Sequence, residues 1–223
     1  MTDTAPKLPT PTLMLVTDRR LAGGEDALVR AVSDAVEGGV NVVQLREKDM
    51  SPAELLPLSC RLREVTVGRA LLLVNGPLEV ALEAGADGVH LPADSPAFVA
   101  QGPSPESGRL LVGRSVHSVQ AARRAESEGA DYLVAGPVFE TSSHRGSAAA
   151  GIVLIEQITG AVSIPVIGIG GITCANASNV VRAGASGIAV ISAILAAPDC
   201  ENAARELREV LKKVWSGVQQ VTP

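Results

Sequence analysis

Gly85-Ala-Asp-Gly-Val-His-Leu91 has three counterparts in the chain: Gly39-Val-Asn-Val-Val-Gln-Leu45, Gly129-Ala-Asp-Tyr-Leu-Val-Ala135 and Gly184-Ala-Ser-Gly-Ile-Ala-Val190. Each follows a helical run rich in Ala, Glu or Arg, and each passes from its glycine into a short apolar strand. The phrases begin at residues 39, 85, 129 and 184, about 45 to 55 residues apart. That is twice the roughly 20 to 25 residues that a strand, a helix and two short loops occupy. Four copies therefore imply eight βα units.

The remaining strands belong at the midpoints, and apolar runs stand there: Leu13 to Thr17, Leu71 to Asn75, Leu110 to Ser115 and Pro165 to Ile169. Helix-period segments such as Asp26 to Glu37, Ser118 to Glu128 and Ala175 to Ala183 lie between strands. Strict alternation means a parallel sheet. Eight units in about 200 residues predict a (β/α)8 TIM barrel, with an open doubly wound sheet as the alternative. The expected strands start near residues 13, 42, 71, 87, 110, 131, 165 and 187. One barrel domain would span 13–215, between a flexible leader of residues 1–12 and a C-terminal tail of residues 216–223.

Composition narrows the function. Of 223 residues, 46% are hydrophobic and 19% charged, enough apolar matter for a buried core. A net charge of −5 gives no general basic field, and 1 Trp, 1 Tyr and 2 Phe are too few to stack bases, so nucleic acid is not an expected partner. The 3 cysteines (Cys60, Cys174 and Cys200) are odd in number and far apart, which fits a reducing, cytoplasmic setting rather than a disulfide framework. The longest strongly apolar stretch, Ile188 to Ala197, is about half a membrane span, so no membrane partner is expected either.

A parallel barrel gathers its chemistry at the C-terminal ends of its strands. Polar residues stand there: Thr17 and Asp18, Gln44, Arg46 and Lys48, Asn75, His90, Ser115 and His117, Thr141, Gly170 and Gly171, and Ser192. On the second strand Gln44 and Arg46 share the inward face, while Val43 and Leu45 face the helices. An inward Arg needs an acidic partner or an anionic ligand. An Arg46–Glu or Arg46–Asp structural pair is one reading and a bound anion the other. Ile167-Gly-Ile-Gly-Gly-Ile172, with Val190-Ile-Ser-Ala193 after strand eight, has the position of a barrel phosphate site built on Gly170, Gly171, Ser192 and Ala193, with tight packing as the plain alternative. His90 lies in an apolar run and reads first as a satisfied core residue. His117 stands at a helix start, and His144 in the stretch Thr141 to Gly151, a candidate lid. No stretch has metal-ligand spacing.

Leu15-Val-Thr-Asp18, Val43-Gln-Leu-Arg-Glu-Lys48, Ala86-Asp-Gly-Val-His-Leu91, Ala130-Asp-Tyr132, Gly136-Pro-Val-Phe139 and Ile167-Gly-Ile-Gly-Gly171 resemble the thiamine-phosphate synthase superfamily over nearly all of residues 13 to 195. The resemblance implies a TIM barrel and, as a possibility, a homodimer. One branch, the synthase, joins a hydroxymethylpyrimidine diphosphate to a thiazole phosphate with Mg2+. The other is TenI-like and includes a metal-free thiazole tautomerase. By position, Gln44, Arg46, Lys48 and Asn75 would face the pyrimidine diphosphate, and Gly171 and Ser192 the thiazole phosphate.

Three departures fall on the diphosphate side. Asn75-Gly76-Pro77 stands where a synthase reads Asn-Asp-Arg, Ser95 stands where a second carboxylate is expected with Asp94 one position early, and His144 replaces a lysine. They point toward the TenI-like branch, so the expected activity is a metal-independent thiazole tautomerase that binds thiazole phosphate. In that reading Ser115 and Thr141 contact the substrate, and His117, His144 or Glu140 moves the proton because Pro137 replaces the branch's usual histidine. The alternatives are an active thiamine-phosphate synthase, which would require Mg2+, and a non-catalytic thiazole-phosphate binder.

Overall fold

The computed structural model describes residues 6–96, 109–141 and 150–219. Eight strands run through them: β1 (Thr12–Val16), β2 (Val42–Leu45), β3 (Leu71–Val74), β4 (Gly88–Leu91), β5 (Leu111–Val116), β6 (Tyr132–Ala135), β7 (Val166–Ile169) and β8 (Gly187–Val190). The helices are α1 (Arg19–Ala22), α2 (Glu25–Glu37), α3 (Pro52–Thr66), α4 (Leu78–Glu83), α5 (Val119–Ser127), α6 (Gly151–Thr159), α7 (Ala177–Arg182), α8 (Ser192–Leu195) and α9 (Cys200–Gln219). Each strand pairs in parallel with the next, and β8 closes on β1 with Ala189 opposite Met14. This is the expected (β/α)8 barrel. Closure excludes the open-sheet alternative and leaves no strand edge unpaired.

The repeated phrase is the turn into each even-numbered strand. Gly39, Gly85, Gly129 and Gly184 all take positive φ, from 63° to 108°. Only glycine enters that region at no steric cost, so the preceding helix stops and the chain turns back into the sheet. The third residue of the phrase then clips this turn to the preceding odd strand. Asn41 Oδ1 accepts from Leu13 N–H, and carboxylate oxygens of Asp87 and Asp131 accept from Leu72 N–H and Val112 N–H, each at 2.8 Å. Helix starts are equally local. Ser51 and Glu54 form a reciprocal capping box ahead of Pro52, and Ser118 Oγ accepts from Ala121 N–H at 3.1 Å.

Alternation along the strands separates two cores. Inside the barrel lie Met14, Val16, Val42, Leu73, Leu111, Tyr132, Val134, Ile167 and Ala189. Leu15, Val43, Leu45, Leu72 and Val112 face outward into the larger core beneath the helices. Tyr132 can lie inside only because β5 carries Gly113 beside it, where a Cβ would overlap the phenol ring. Two boundaries differ from the sequence expectation. Leu8 packs against the interior cluster, and Pro11 carbonyl accepts from Asn41 Nδ2 at 3.0 Å and Arg208 Nη1 at 2.7 Å, so the leader is fastened from Leu8 onward. At the other end α9 continues to Gln219, past the expected start of a tail at residue 216. Among the described residues no helix is long and apolar enough to cross a membrane.

Candidate active site

Because all eight strands are parallel, their C-terminal ends meet at one mouth. The side toward β2, β4, β5 and β6 is built from side chains. Gln44 is buried inside β2, with Nε2 3.8 Å from Met14 Sδ, and its amide opposes the burial-driven rise of the Tyr132 pKa. Tyr132 Oη lies 3.1 Å from His90 Nδ1, and His90 Nε2 lies 2.9 Å from Ser115 Oγ. These contacts form one column rising from the barrel interior. In the Nε2–H tautomer of His90, the phenol proton goes to His90 Nδ1 and the His90 Nε2–H to Ser115. The Ser115 hydroxyl then has its proton to offer a ligand above.

Burial, with the positive charge of Arg46 adding to it, pushes the His90 pKa down to about 3, so the ring is neutral at physiological pH. Burial likewise raises the Tyr132 pKa and keeps the phenol protonated. His90 is thus the satisfied core histidine the apolar run predicts, and it also links the interior to Ser115. Tyr132 is the member of this column that sequence reading missed. Its signal is its inward parity on β6 opposite a strand glycine.

Arg46, one inward step beyond Gln44, is half-buried. Its backbone N–H donates to Thr17 Oγ1 at 2.9 Å, whereas among the described residues its guanidinium has no ion-pair or hydrogen-bond partner. Burial lowers its pKa, opposed by the charges of Asp18 and Glu47. The Arg46–Glu or Arg46–Asp structural pair is therefore not formed among these residues. Glu47, the nearest candidate, is buried and engaged elsewhere. It accepts from Thr17 Oγ1 at 2.7 Å, from Arg19 N–H at 3.1 Å and from Arg19 Nη1 at 3.2 Å. Thr17 and Glu47 together form a strut that fixes the Arg46 backbone against β1. Lys48 is exposed beyond it, and Asn75 donates from Nδ2 to the His90 carbonyl at 2.9 Å.

The side toward β6, β7 and β8 is built from backbone. After β6 the chain passes Gly136, Pro137, Val138 and Phe139, with Val138 N–H donating to Ile169 carbonyl at 2.9 Å and Phe139 N–H to Gly170 carbonyl at 3.1 Å. Gly170 and Gly171 have φ of 104° and 61°. A Cβ on Gly170 would stand 2.7 Å from Pro137 Cβ, and one on Gly171 2.8 Å from Phe139 Cβ. Close packing therefore demands both glycines, as the plain alternative has it. Asn176 Nδ2 holds Gly171 carbonyl at 3.0 Å. Ser192 is exposed and opens α8 ahead of Ala193.

His117 is exposed, and its Nδ1–H donates to Gly136 carbonyl at 2.5 Å, leaving Nε2 without a partner among the described residues. Glu140 is exposed and Thr141 half-buried at the end of the β6 loop. His144 lies outside the described residues.

The residues present do not fit the Mg2+ that the synthase branch implies. Among the described residues no three His, Cys, Asp or Glu side chains cluster as metal ligands. Asp18 caps α1, accepting from Arg20 and Leu21 N–H at 3.1 Å each. Asp94 is exposed and lies in the field of Arg124 on α5. The Ser95 and Pro96 carbonyls are held by buried Arg114, at 2.7 and 2.6 Å.

A family model described as thiamine monophosphate synthase matches residues 13–194. A thiamine-phosphate synthase from Pyrococcus abyssi is 42% identical over 204 residues, 91% of this chain and 95% of that protein. One from Methanoculleus marisnigri is 44% identical over 200 residues, 88% and 93% of the two chains. Among solved structures, thiamine phosphate pyrophosphorylase from Pyrococcus furiosus superposes with a TM-score of 0.80 at 39% identity, covering 91% of this chain and 96% of that one.

These likenesses correct the expected branch. Relatives that match over nearly their whole length carry the synthase name, so the tautomerase reading is overturned, and these likenesses lend no support to its TenI-like placement. The three departures are local, whereas the similarity to synthases spreads over the whole barrel. The assignment of His117, His144 or Glu140 as a proton carrier falls with that reading. By the span of the family model and the identity of these relatives, the chain belongs to the thiamine monophosphate synthase family.

Proposed function

We propose that the protein is a thiamine-phosphate synthase, a transferase that joins hydroxymethylpyrimidine diphosphate to thiazole phosphate. The thiazole nitrogen uses its lone pair to form a bond to the pyrimidine methylene carbon. The bond from that carbon to the diphosphate oxygen breaks, and its electron pair leaves on diphosphate. No proton needs to be moved on either substrate, so the reaction asks for binding, orientation and stabilisation of the leaving charge.

The observation that carries this reading is the Arg46 guanidinium, half-buried at the mouth with no partner among the described residues. A desolvated cation of this kind suits a polyanionic leaving group. Lys48 adds charge at the rim, and Asn75 closes the same side. In this reading Gln44 and the Tyr132–His90–Ser115 column form the floor on which the pyrimidine ring sits, with Ser115 donating to a ring acceptor. Gly170, Gly171, Ser192 and Ala193 take the thiazole phosphate, and Thr141 closes over the substrates.

The test is incubation of the purified protein with both substrates and Mg2+, following thiamine phosphate by fluorescence after oxidation and diphosphate by a coupled release assay. Stoichiometric appearance of the two products is expected. Absence of both at enzyme concentrations equal to substrate overturns the proposal.

A further inference from the structure

Three of the carboxylates near the diphosphate side of the mouth, Glu47, Asp49 and Asp18, are already committed, and the fourth, Asp94, is exposed. Glu47 is consumed by Thr17 and Arg19, and Asp49 is held by Arg19 at 2.7 Å and Arg20 at 2.6 Å. Asp18 caps α1, and Asp94 is exposed toward Arg124. At position 76 there is no side chain, and an added Cβ would press on Leu55 Cδ2 at 2.8 Å. Position 95 offers a hydroxyl on a loop whose carbonyls are tied to Arg114 behind the barrel. Outside the described residues the only side-chain carboxylates in the sequence are Asp3 and Glu106.

Against this stands one half-buried guanidinium without a counter-charge, Arg46, with Lys48 beyond it. Mg2+ binds through oxygen ligands, commonly one or two carboxylates, and sheds water reluctantly. A free divalent cation entering here meets positive charge, while the mouth carboxylates left without a hydrogen bond or ion pair, Asp94 and Glu140, are exposed, and no three acidic, His or Cys side chains cluster among the described residues. A diphosphate meets the opposite balance.

We propose that the chain has no divalent-cation site of its own, and that it binds a diphosphate through the fixed cations Arg46 and Lys48, with metal entering only as part of the diphosphate complex. The inference rests on the synthase reading for the identity of its ligand, inorganic diphosphate serving as the probe. It separates this chain from any family member whose carboxylates hold the metal before substrate arrives.

Two titrations test it on the full-length protein. Mn2+ added in the absence of diphosphate and followed by electron paramagnetic resonance is expected to show no saturable binding up to millimolar concentrations. One-to-one saturable binding overturns the proposal. Calorimetry with inorganic diphosphate is expected to give similar affinity in EDTA and in excess Mg2+. Arg46→Ala should weaken the EDTA value by about ten- to a hundred-fold, the range of a lost charge-assisted hydrogen bond. Lys48→Ala, at an exposed position where folding is not at stake, should weaken it several-fold. Binding that vanishes in EDTA, or that neither substitution weakens, overturns the proposal. The two readings fail separately: absent condensation with intact metal-free diphosphate binding rejects the synthase reading alone, whereas condensation by a protein that holds Mn2+ before diphosphate rejects this inference alone.

Discussion

The β2–β5 side of the mouth and the β7–β8 side solve recognition with different materials. The first places buried Tyr132 and His90 and half-buried Ser115 in one hydrogen-bonded column, with buried Gln44 on β2 of the same side, beneath Arg46. The second has almost no side chains to offer, and packs Gly170 and Gly171 so closely against Pro137 and Phe139 that their backbone conformation is fixed. A side-chain site can lose a function while the fold stands. A backbone site cannot change without moving the loops that form it.

The sharpest separation is expected from Arg46→Ala. Removing a half-buried cation that no described residue pairs with should lower kcat/KM for condensation by about 100-fold, within the range for hydrogen bonds to charged groups. The melting temperature should hold or rise slightly, because a desolvated charge is removed. A large fall in melting temperature would mean that Arg46 is a structural residue and that the two sides do not differ as described.

Gly171→Ala should do the reverse. A side chain at φ 61° pressed against Phe139 costs about 2 to 3 kcal/mol in strain and overlap, or a fall of roughly 4 to 12 °C in melting temperature. KM for thiazole phosphate should rise more than KM for the pyrimidine diphosphate. A variant as stable as the wild type would break the view that packing holds this loop.

The buried column should also show in the pH dependence of stability. The folded pKa of His90 lies near 3, below the ordinary 6.5. Between those values the unfolded chain binds a proton that the folded chain refuses, so stability falls as pH falls through this window. The slope from this one group approaches about 1.4 kcal/mol per pH unit. Denaturant titrations at pH 7 and pH 5 should therefore give a smaller difference for His90→Gln than for the wild type. Equal differences would mean that the histidine is protonated in the fold.

Tyr132→Phe should have the smallest effect. It removes one hydroxyl and leaves His90 Nδ1 short of a partner, at about 1 to 2 kcal/mol of stability. KM for the pyrimidine diphosphate should rise a few-fold, with KM for thiazole phosphate unchanged. Equal changes in both constants would show that the column supports the barrel as a whole and not one side of its mouth.

The architecture was legible because its determinants are local. A glycine that ends a helix, a polar residue that clips the next turn and a short β-branched run recur within seven residues, so four copies announce eight units. Strand parity is equally local, and it places Gln44 inside the barrel and Val43 and Leu45 outside. Tertiary structure decided what parity cannot: which partner each inward or loop residue meets. Glu47 could have paired with Arg46 but is taken by Thr17 and Arg19, 28 to 30 residues away. Tyr132 reaches His90 across 42 residues because Gly113 vacates the space for its ring. Arg114 turns away from the mouth to hold the β4 loop from behind. Periodicity fixes a side chain's face, whereas its partner depends on barrel closure, which brings distant strand ends within hydrogen-bonding distance.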